Sequence, residues 1–304
     1  MNFPNRYRQI VAWLNNKNLK QREIVRLDIE EADLFNLDIG KRGGDFFLGY
    51  YSSDGIRMAL EKYGLYAELK NLGFTKVLTR IDTSDTFKHK ISLYFDEIKQ
   101  KNLLIELVLR KSFFKLNMPF KYTSNGKCFQ CLTIDWLSMQ NPRAVFTPRR
   151  PRLPGQKFPG LGLSSLAVEL LMIICWRLKV AALVNFPGHY HNAVLYSKIF
   201  YYLDPTLQAR LLALKKTFRN MPLEKISWGI DWGCVTDRRT EQIFQWMVGE
   251  QLVPLEDTLK KLFSGKKYKK YVNARMKDFK FEFNENKYQE LKKVMTVKNM
   301  EKII

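Results

Sequence analysis

Histidine and cysteine are scarce in this chain, with three and four residues among 304. So few cysteines argue against a disulfide-stapled secreted scaffold and fit a reducing compartment. A structural zinc site needs four ligands, usually two Cys pairs or a Cys pair with a His pair. Only one Cys-x-x-Cys is present, Cys128 to Cys131, and Cys175 and Cys234 stand far from it. The stretch Cys128-Phe-Gln-Cys-Leu-Thr-Ile-Asp-Trp-Leu137 reads as a strand. Positions i and i+3 of a strand point to opposite faces, so strand packing is the expectation and no metal site is expected. Long apolar runs are missing too. The nearest to a membrane span, Leu163–Phe186, is interrupted by Glu169, Arg177 and Lys179, which excludes a conventional transmembrane helix. The opening Met1-Asn-Phe-Pro-Asn-Arg6 lacks the charged-then-apolar layout of a signal peptide. A soluble, cytoplasmic protein is the expectation.

Acidic residues form the other deficit. Lys and Arg number 51 against 30 Asp and Glu, a net charge of +21. Such an excess favours polyanionic partners: nucleic acid, an anionic membrane surface, or a phosphate-rich small molecule. It is unevenly placed, because the chain from Lys260 onward holds 14 Lys/Arg against five Asp/Glu. Its densest run, Lys266-Lys-Tyr-Lys-Lys270, is either a solvated face, a phosphate-binding arm or a membrane contact. What is abundant is apolar and aromatic material, 46% and 13%, enough for a real core.

Along the chain, residues 1–25 read as a basic helical lead-in and Gly40–Asp45 as a turn. Ser52–Leu72 has helical spacing, stopped by Gly73. Lys76–Ile81, Lys90–Phe95, Leu103–Leu109 and Phe129–Met139 read as strands whose short connections favour antiparallel pairing. Asn141–Phe158, with four prolines and four arginines, reads as an extended basic loop. Ser164-Ser165 offers an N-cap to an apolar helix, Leu166–Leu178, followed by a strand at Val180–Phe186. Helices are expected over Asn192–Leu203, Leu207–Phe218, Glu241–Gly249 and Leu252–Phe263, and a strand or hairpin over Ile226–Val235. The fold class predicted is α+β, layered α/β/α. Its mixed, largely antiparallel central sheet carries one parallel strand–helix–strand crossover. The divisions expected are a basic helical region 1–72, a core 73–222 and a basic, mainly helical region 223–304.

The chemistry-bearing stretch is Leu153-Pro-Gly-Gln-Lys-Phe-Pro-Gly-Leu-Gly-Leu-Ser-Ser165. A Gly-x-Gly turn before a helix exposes main-chain N–H groups at the positive end of the helix dipole, where phosphate binds. Gly160 and Gly162 allow close backbone approach, and the upstream arginines and Lys157 add charge. A mere tight turn is the plainer alternative. No P-loop and no dinucleotide fingerprint is present.

The order of elements from about Phe129 to Leu203 resembles the core of the GNAT superfamily of acyl-CoA-dependent N-acyltransferases. The residues that carry the resemblance are the turn Lys157-Phe-Pro-Gly-Leu-Gly162, the apolar helix, the next strand and His189-Tyr-His-Asn-Ala-Val-Leu-Tyr196. Lys157 stands where the family has Gln or Arg, with Gln156 one residue early. The resemblance implies that acetyl-CoA or another acyl-CoA binds through its diphosphate, with Arg152, Gln156, Lys157, Gly160, Leu161, Gly162, Ser164 and Ser165 as candidate contacts. It also implies Tyr196 as the acid that protonates the leaving thiolate, although Tyr196 also fits a core aromatic. Oxyanion contacts would come from main-chain N–H groups near Leu132–Ile134. The base that deprotonates an amine acceptor is open among Asp135, Glu106, His189 and His191. Both carboxylates could equally be structural, and the histidines could cap a helix or pack in a loop. An acyl-CoA-dependent N-acyltransferase, most simply an acetyltransferase, is therefore expected. The alternative is a basic nucleic-acid-binding protein without acyl transfer.

Overall fold

The computed structural model describes residues 5–14, 16–20 and 46–301. Helices α1 (Asn5–Trp13), α2 (Asn16–Lys20), α3 (Ser53–Lys62) and α4 (Leu65–Asn71) precede four strands, β1 (Val77–Asp82), β2 (His89–Phe95), β3 (Leu103–Lys115) and β4 (Cys128–Met139). Then come α5 (Ser164–Leu178), β5 (Ala182–Asn185), α6 (Tyr190–Tyr196), β6 (Tyr201–Tyr202), α7 (Pro205–Thr217), α8 (Leu223–Asp231), β7 (Val235–Asp237), β8 (Gln242–Ile243) and β9 (Gln251–Pro254). Helices α9 (Asp257–Ser264) and α10 (Lys266–Met276), strand β10 (Phe281–Phe283) and α11 (Glu285–Glu301) complete it. The predicted turn at Gly40–Asp45, and residues 21–25 of the lead-in, lie outside the described residues.

The class is α+β. Seven strands form a mixed sheet, parallel and antiparallel, in the order β1-β2-β3-β4-β5-β9-β6, and a small second sheet runs β10-β7-β8. The crossover neighbours β4 and β5 are connected through α5, as the strand–helix–strand order predicts. Two compact units emerge, each assembled from separate chain segments: residues 1–112, 131–145 and 158–180, and residues 113–130, 146–157 and 181–304.

In the first unit β1 and β2 pair antiparallel from Val77–Phe95 to Asp82–Lys90, and β2 pairs with β3. Buried Ile91, Leu93, Leu104, Ile105 and Leu109 supply its core. The third histidine, His89, is structural. Its Nδ1 accepts the N–H of Leu48 at 2.6 Å, and burial lowers its pKa. The helical stretch predicted over Ser52–Leu72 is broken in two at Gly64, whose φ of 84° leaves the helical region. Ser52 caps α3 through the Gly55 N–H. Apolar α5 is not buried all round. Leu166, Leu171, Ile173 and Cys175 are buried but Trp176 is exposed. Apolar cavities of about 60 and 70 Å³ flank it, sharing Leu60, Ile91, Leu170 and Ile174 as walls.

In the second unit Tyr190, Ala193, Tyr202, Leu211, Leu214, Phe218, Ile226 and Ile230 build one apolar cluster. Helix α7 begins where Asp204-Pro205 predicts, with the Asp204 carboxylate accepting the Thr206 N–H. Four expectations are corrected here. Ile226–Val235 is mostly the helix α8, because Pro222 sits at its N-cap and Ile226 and Ile230 share one buried face. Glu241–Gly249 holds only the short strand β8. Leu252 and Val253 belong to β9, between β5 and β6, where sheet pairing overrides the helical spacing that continues into α9. The helix predicted to run to Leu203 stops at Tyr196, and Tyr201–Tyr202 pairs with β9.

Among the described residues no helix is long and apolar enough to cross a membrane. Cys128 is exposed and Cys131 buried, all four cysteines are free, and no group of three or more possible metal ligands occurs among those residues.

Gly55 admits no side chain, because an added Cβ would stand 2.1 Å from the Leu19 carbonyl oxygen. Gly55→Ala is therefore expected to destabilise the chain by about 1–3 kcal/mol. A urea midpoint equal to wild type would show that α2 does not press on α3.

Candidate functional site

The basic loop after β4 leaves and re-enters the first unit at one point. Gln140 donates its main-chain N–H to Leu104 O and its side-chain amide to Leu103 O. Asn141 N–H then meets Pro159 O at 2.7 Å, and Gln140 bridges Gly160 antiparallel to it. Arg143 fixes the departing strand. It donates to Gly73 O, pairs with Asp96 at 3.2 Å, and lies over the Phe74 and Phe95 rings. This arginine is an anchor and not a free cation.

From the clasp the chain runs directly into α5. Leu161 is buried and pins the turn, while Gly160, Gly162, Ser164 and Ser165 are exposed. Gly162 has a φ of +79°, and an added Cβ at either glycine would meet no atom closer than Met139 O at 3.7 Å. The predicted serine N-cap is corrected: Ser164 is already helical, and the cap is Leu163, whose side chain can accept nothing. The first intrahelical bond is Ala167 N–H to Leu163 O. The N–H groups of Ser164, Ser165 and Leu166 therefore have no acceptor in the helix. No carboxylate occupies the first turn. The N-terminus of a 15-residue helix is thus open, uncapped and free of acid, with small residues in front of it.

Two upstream candidates bond to one another's segment. In the second unit Arg152 Nε donates to Gln156 O at 2.8 Å, and Gln156 Oε1 accepts the Leu153 N–H. Trp228 Nε1 donates to Arg152 O. Arg152 and Gln156 thus close a turn around Gly155. Lys157 is exposed.

The second unit also holds the histidines. His189 occupies the N-cap position of α6, but its side chain does not cap. Its Nδ1 lies 3.4 Å from Asp231 Oδ1 at the end of α8. Gly155 backs its other nitrogen, since a Cβ there would come within 2.8 Å of Nε2. His191 stacks on His189 at 5.4 Å between ring centroids. It is 3% exposed, and its Nδ1 has no hydrogen-bond partner. Burial, helped by the neighbouring His189, pushes its pKa down to about 4, so the ring is neutral at physiological pH. Tyr196 closes α6 half-buried against Phe200, and burial raises its pKa.

The carboxylates fare differently. Both oxygens of Asp135 face Arg110 Nε, at 2.8 and 3.0 Å, with Lys88 at 3.8 Å. That is a structural ion pair, and it removes Asp135 as a free base. Glu106 is half-buried on β3 opposite Ser92. Leu132–Ile134 are buried within β4. Asp231 and Gly155 escaped the sequence reading. The one cue for Asp231 was a carboxylate ending an apolar helix, where the dipole disfavours it.

No protein-family model matches the chain, and no curated protein is significantly similar to it.

A histidine held near 4 in the fold and near 6.5 in the unfolded chain takes its proton preferentially when unfolded. Its contribution is intact above about pH 6.5 and is lost as the pH falls toward 4, on the order of 3 kcal/mol. The urea midpoint should fall over that window, and more gently in His191→Gln. Proton NMR should show the His191 imidazole failing to titrate above pH 5. Ordinary titration there would contradict the buried neutral ring.

Proposed function

We propose that this chain is an acyl-CoA-dependent N-acyltransferase. The observation that carries the reading is the open N-terminus of α5, uncapped and free of acid behind the Gly160–Gly162 turn. Such a terminus suits a diphosphate, since its N–H groups and dipole point at negative charge. The crossover order β4–α5–β5–α6 supports the same reading, because it is the order on which the resemblance to the GNAT superfamily rests.

The reaction asks for three proton and charge events. A neutral amine attacks the thioester carbonyl, the tetrahedral oxyanion collapses, and the thiolate leaves and takes a proton. His189 is the group best equipped to take the amine proton. Asp231 faces Nδ1 and stabilises the imidazolium that forms, and Gly155 lies beside Nε2 with no side chain of its own to cover it. Tyr196 keeps its proton through its raised pKa, the state required of an acid for the thiolate. Acetyl is the simplest acyl group, and the amine is the second substrate.

Two measurements test this. Coenzyme A and acetyl-CoA should raise the melting temperature in a concentration-dependent way. Gly160→Val, whose added Cβ meets nothing closer than Met139 O at 3.7 Å, should weaken that binding about tenfold or more. No shift at millimolar ligand would overturn the reading. In an assay of CoA release with an amine acceptor, His189→Ala should lower kcat by about 10²–10⁴-fold and leave the KM for acetyl-CoA near wild type. An unchanged kcat would remove His189 from the mechanism.

A further inference from the structure

The second unit carries a concentration of cations that acyl transfer does not use. Helix α10, Lys266–Met276, holds Lys266, Lys267, Lys269, Lys270 and Arg275 and not one carboxylate. The segment 113–130, at the turn from β3 to β4, holds Lys115, Lys121 and Lys127 and again no carboxylate. These two pieces meet. Lys267 Nζ donates to Lys121 O at 3.4 Å, and the Phe120 and Tyr271 rings lie 5.7 Å apart. The turn is held rigid, since Asn125 accepts the Met118 N–H and donates to the Met118 and Phe120 carbonyls.

All seven lysines are exposed, and none lies within ion-pair distance of a carboxylate among the described residues. The nearby acids are engaged: Asp257 with Lys260, and Asp278 with Arg275 and Arg239. The arrangement works against the stability of the helix. Lys266 faces Lys269 and Lys270, and Lys267 faces Lys270, at repulsive helical spacings. Lys266 and Lys267 also sit at the positive end of the dipole, where the first turn has no acid. A bound polyanion relieves both penalties.

The neighbouring aromatics decide which polyanion. Phe120 and Tyr271 are half-exposed among the lysines, and Arg275 lies over the Tyr271 ring. Of the apolar residues of α10, Tyr268 and Val272 are buried, with the Tyr268 hydroxyl bonded to Tyr202 O, and Met276 is half-buried. The helix therefore has no free apolar face to sink into a lipid interface. Lysines that track phosphates beside rings that stack on bases are the requirements of single-strand binding. We infer that α10 and the β3–β4 turn form a binding face for single-stranded nucleic acid.

Fluorescence anisotropy on the full chain tests it. The probes are labelled 20-nucleotide oligo(dT) and oligo(U), a 20-base-pair duplex, and vesicles of phosphatidylcholine with phosphatidylserine. Five phosphate contacts, from Lys121 and the four lysines of α10, predict a log–log salt slope near about −3.5 for single strands. K266Q/K269Q/K270Q should weaken binding at least tenfold and make the slope shallower by about 2. Lys121→Gln, on a separate element, should make it shallower by about 0.7. Tyr271→Ala should weaken binding about tenfold and leave the slope alone. Preference between the two oligonucleotides identifies DNA or RNA as the partner. The inference is overturned if neither single strand binds at 50 mM salt. It is equally overturned if the lysine variants bind like wild type, or if vesicles or duplex are preferred and Tyr271→Ala has no effect.

Discussion

The 2.7 Å bond from the Asn141 N–H to Pro159 O is the constraint on which the candidate phosphate turn depends. An 18-residue loop rich in proline and arginine would otherwise leave the start of α5 at the end of a wandering chain. The clasp returns the loop to the point where β4 released it, and buried Leu161 sets the turn against the first unit. Everything after it is then determined locally. A leucine occupies the N-cap, two serines and a leucine supply the unbonded amides, and the glycines leave the space before them empty. A capping aspartate at position 163 would have satisfied those amides and closed the terminus.

The second unit applies the same economy to its histidines. Two imidazoles two residues apart have been given opposite environments. His191 is buried and neutral, and His189 stands at the surface beside Asp231. The turn closed by Arg152 and Gln156 brings Gly155 against His189. Trp228 on α8 holds the same turn through Arg152 O. Charge is distributed with similar unevenness. Arg143 is neutralised and stacked, whereas the lysines of α10 are left without carboxylates.

Much of the framework could be read directly. The first four strands and α5 begin and end within a few residues of the sequence prediction, apart from β3, which runs on to Lys115, because their apolar patterns and breakers agree. Where short apolar runs carried no such agreement, the reading erred. Ile226–Val235 is rich in strand-forming residues, yet Pro222 starts a helix there. Leu252–Val253 continues a helical spacing, yet the sheet claims it as β9. The candidate site divides in the same way. Gly160, Gly162 and the helix behind them are neighbours in sequence, so the exposed turn ahead of α5 was legible. Asp135 was open between base and structural carboxylate in the sequence, and Arg110, 25 residues away, is what holds it in an ion pair.

Local chemistry alone settled that this chain carries a Gly-x-Gly turn ahead of an apolar helix, a strong positive charge and a cysteine content too sparse for staples. Backbone freedom, side-chain charge and short-range spacing are properties of adjacent residues. Tertiary structure decided which charged groups are spent and which are free, and which imidazole is buried. Those outcomes depend on contacts between segments far apart in the chain, such as His189 with Asp231 and Lys267 with Lys121, and no local pattern encodes them.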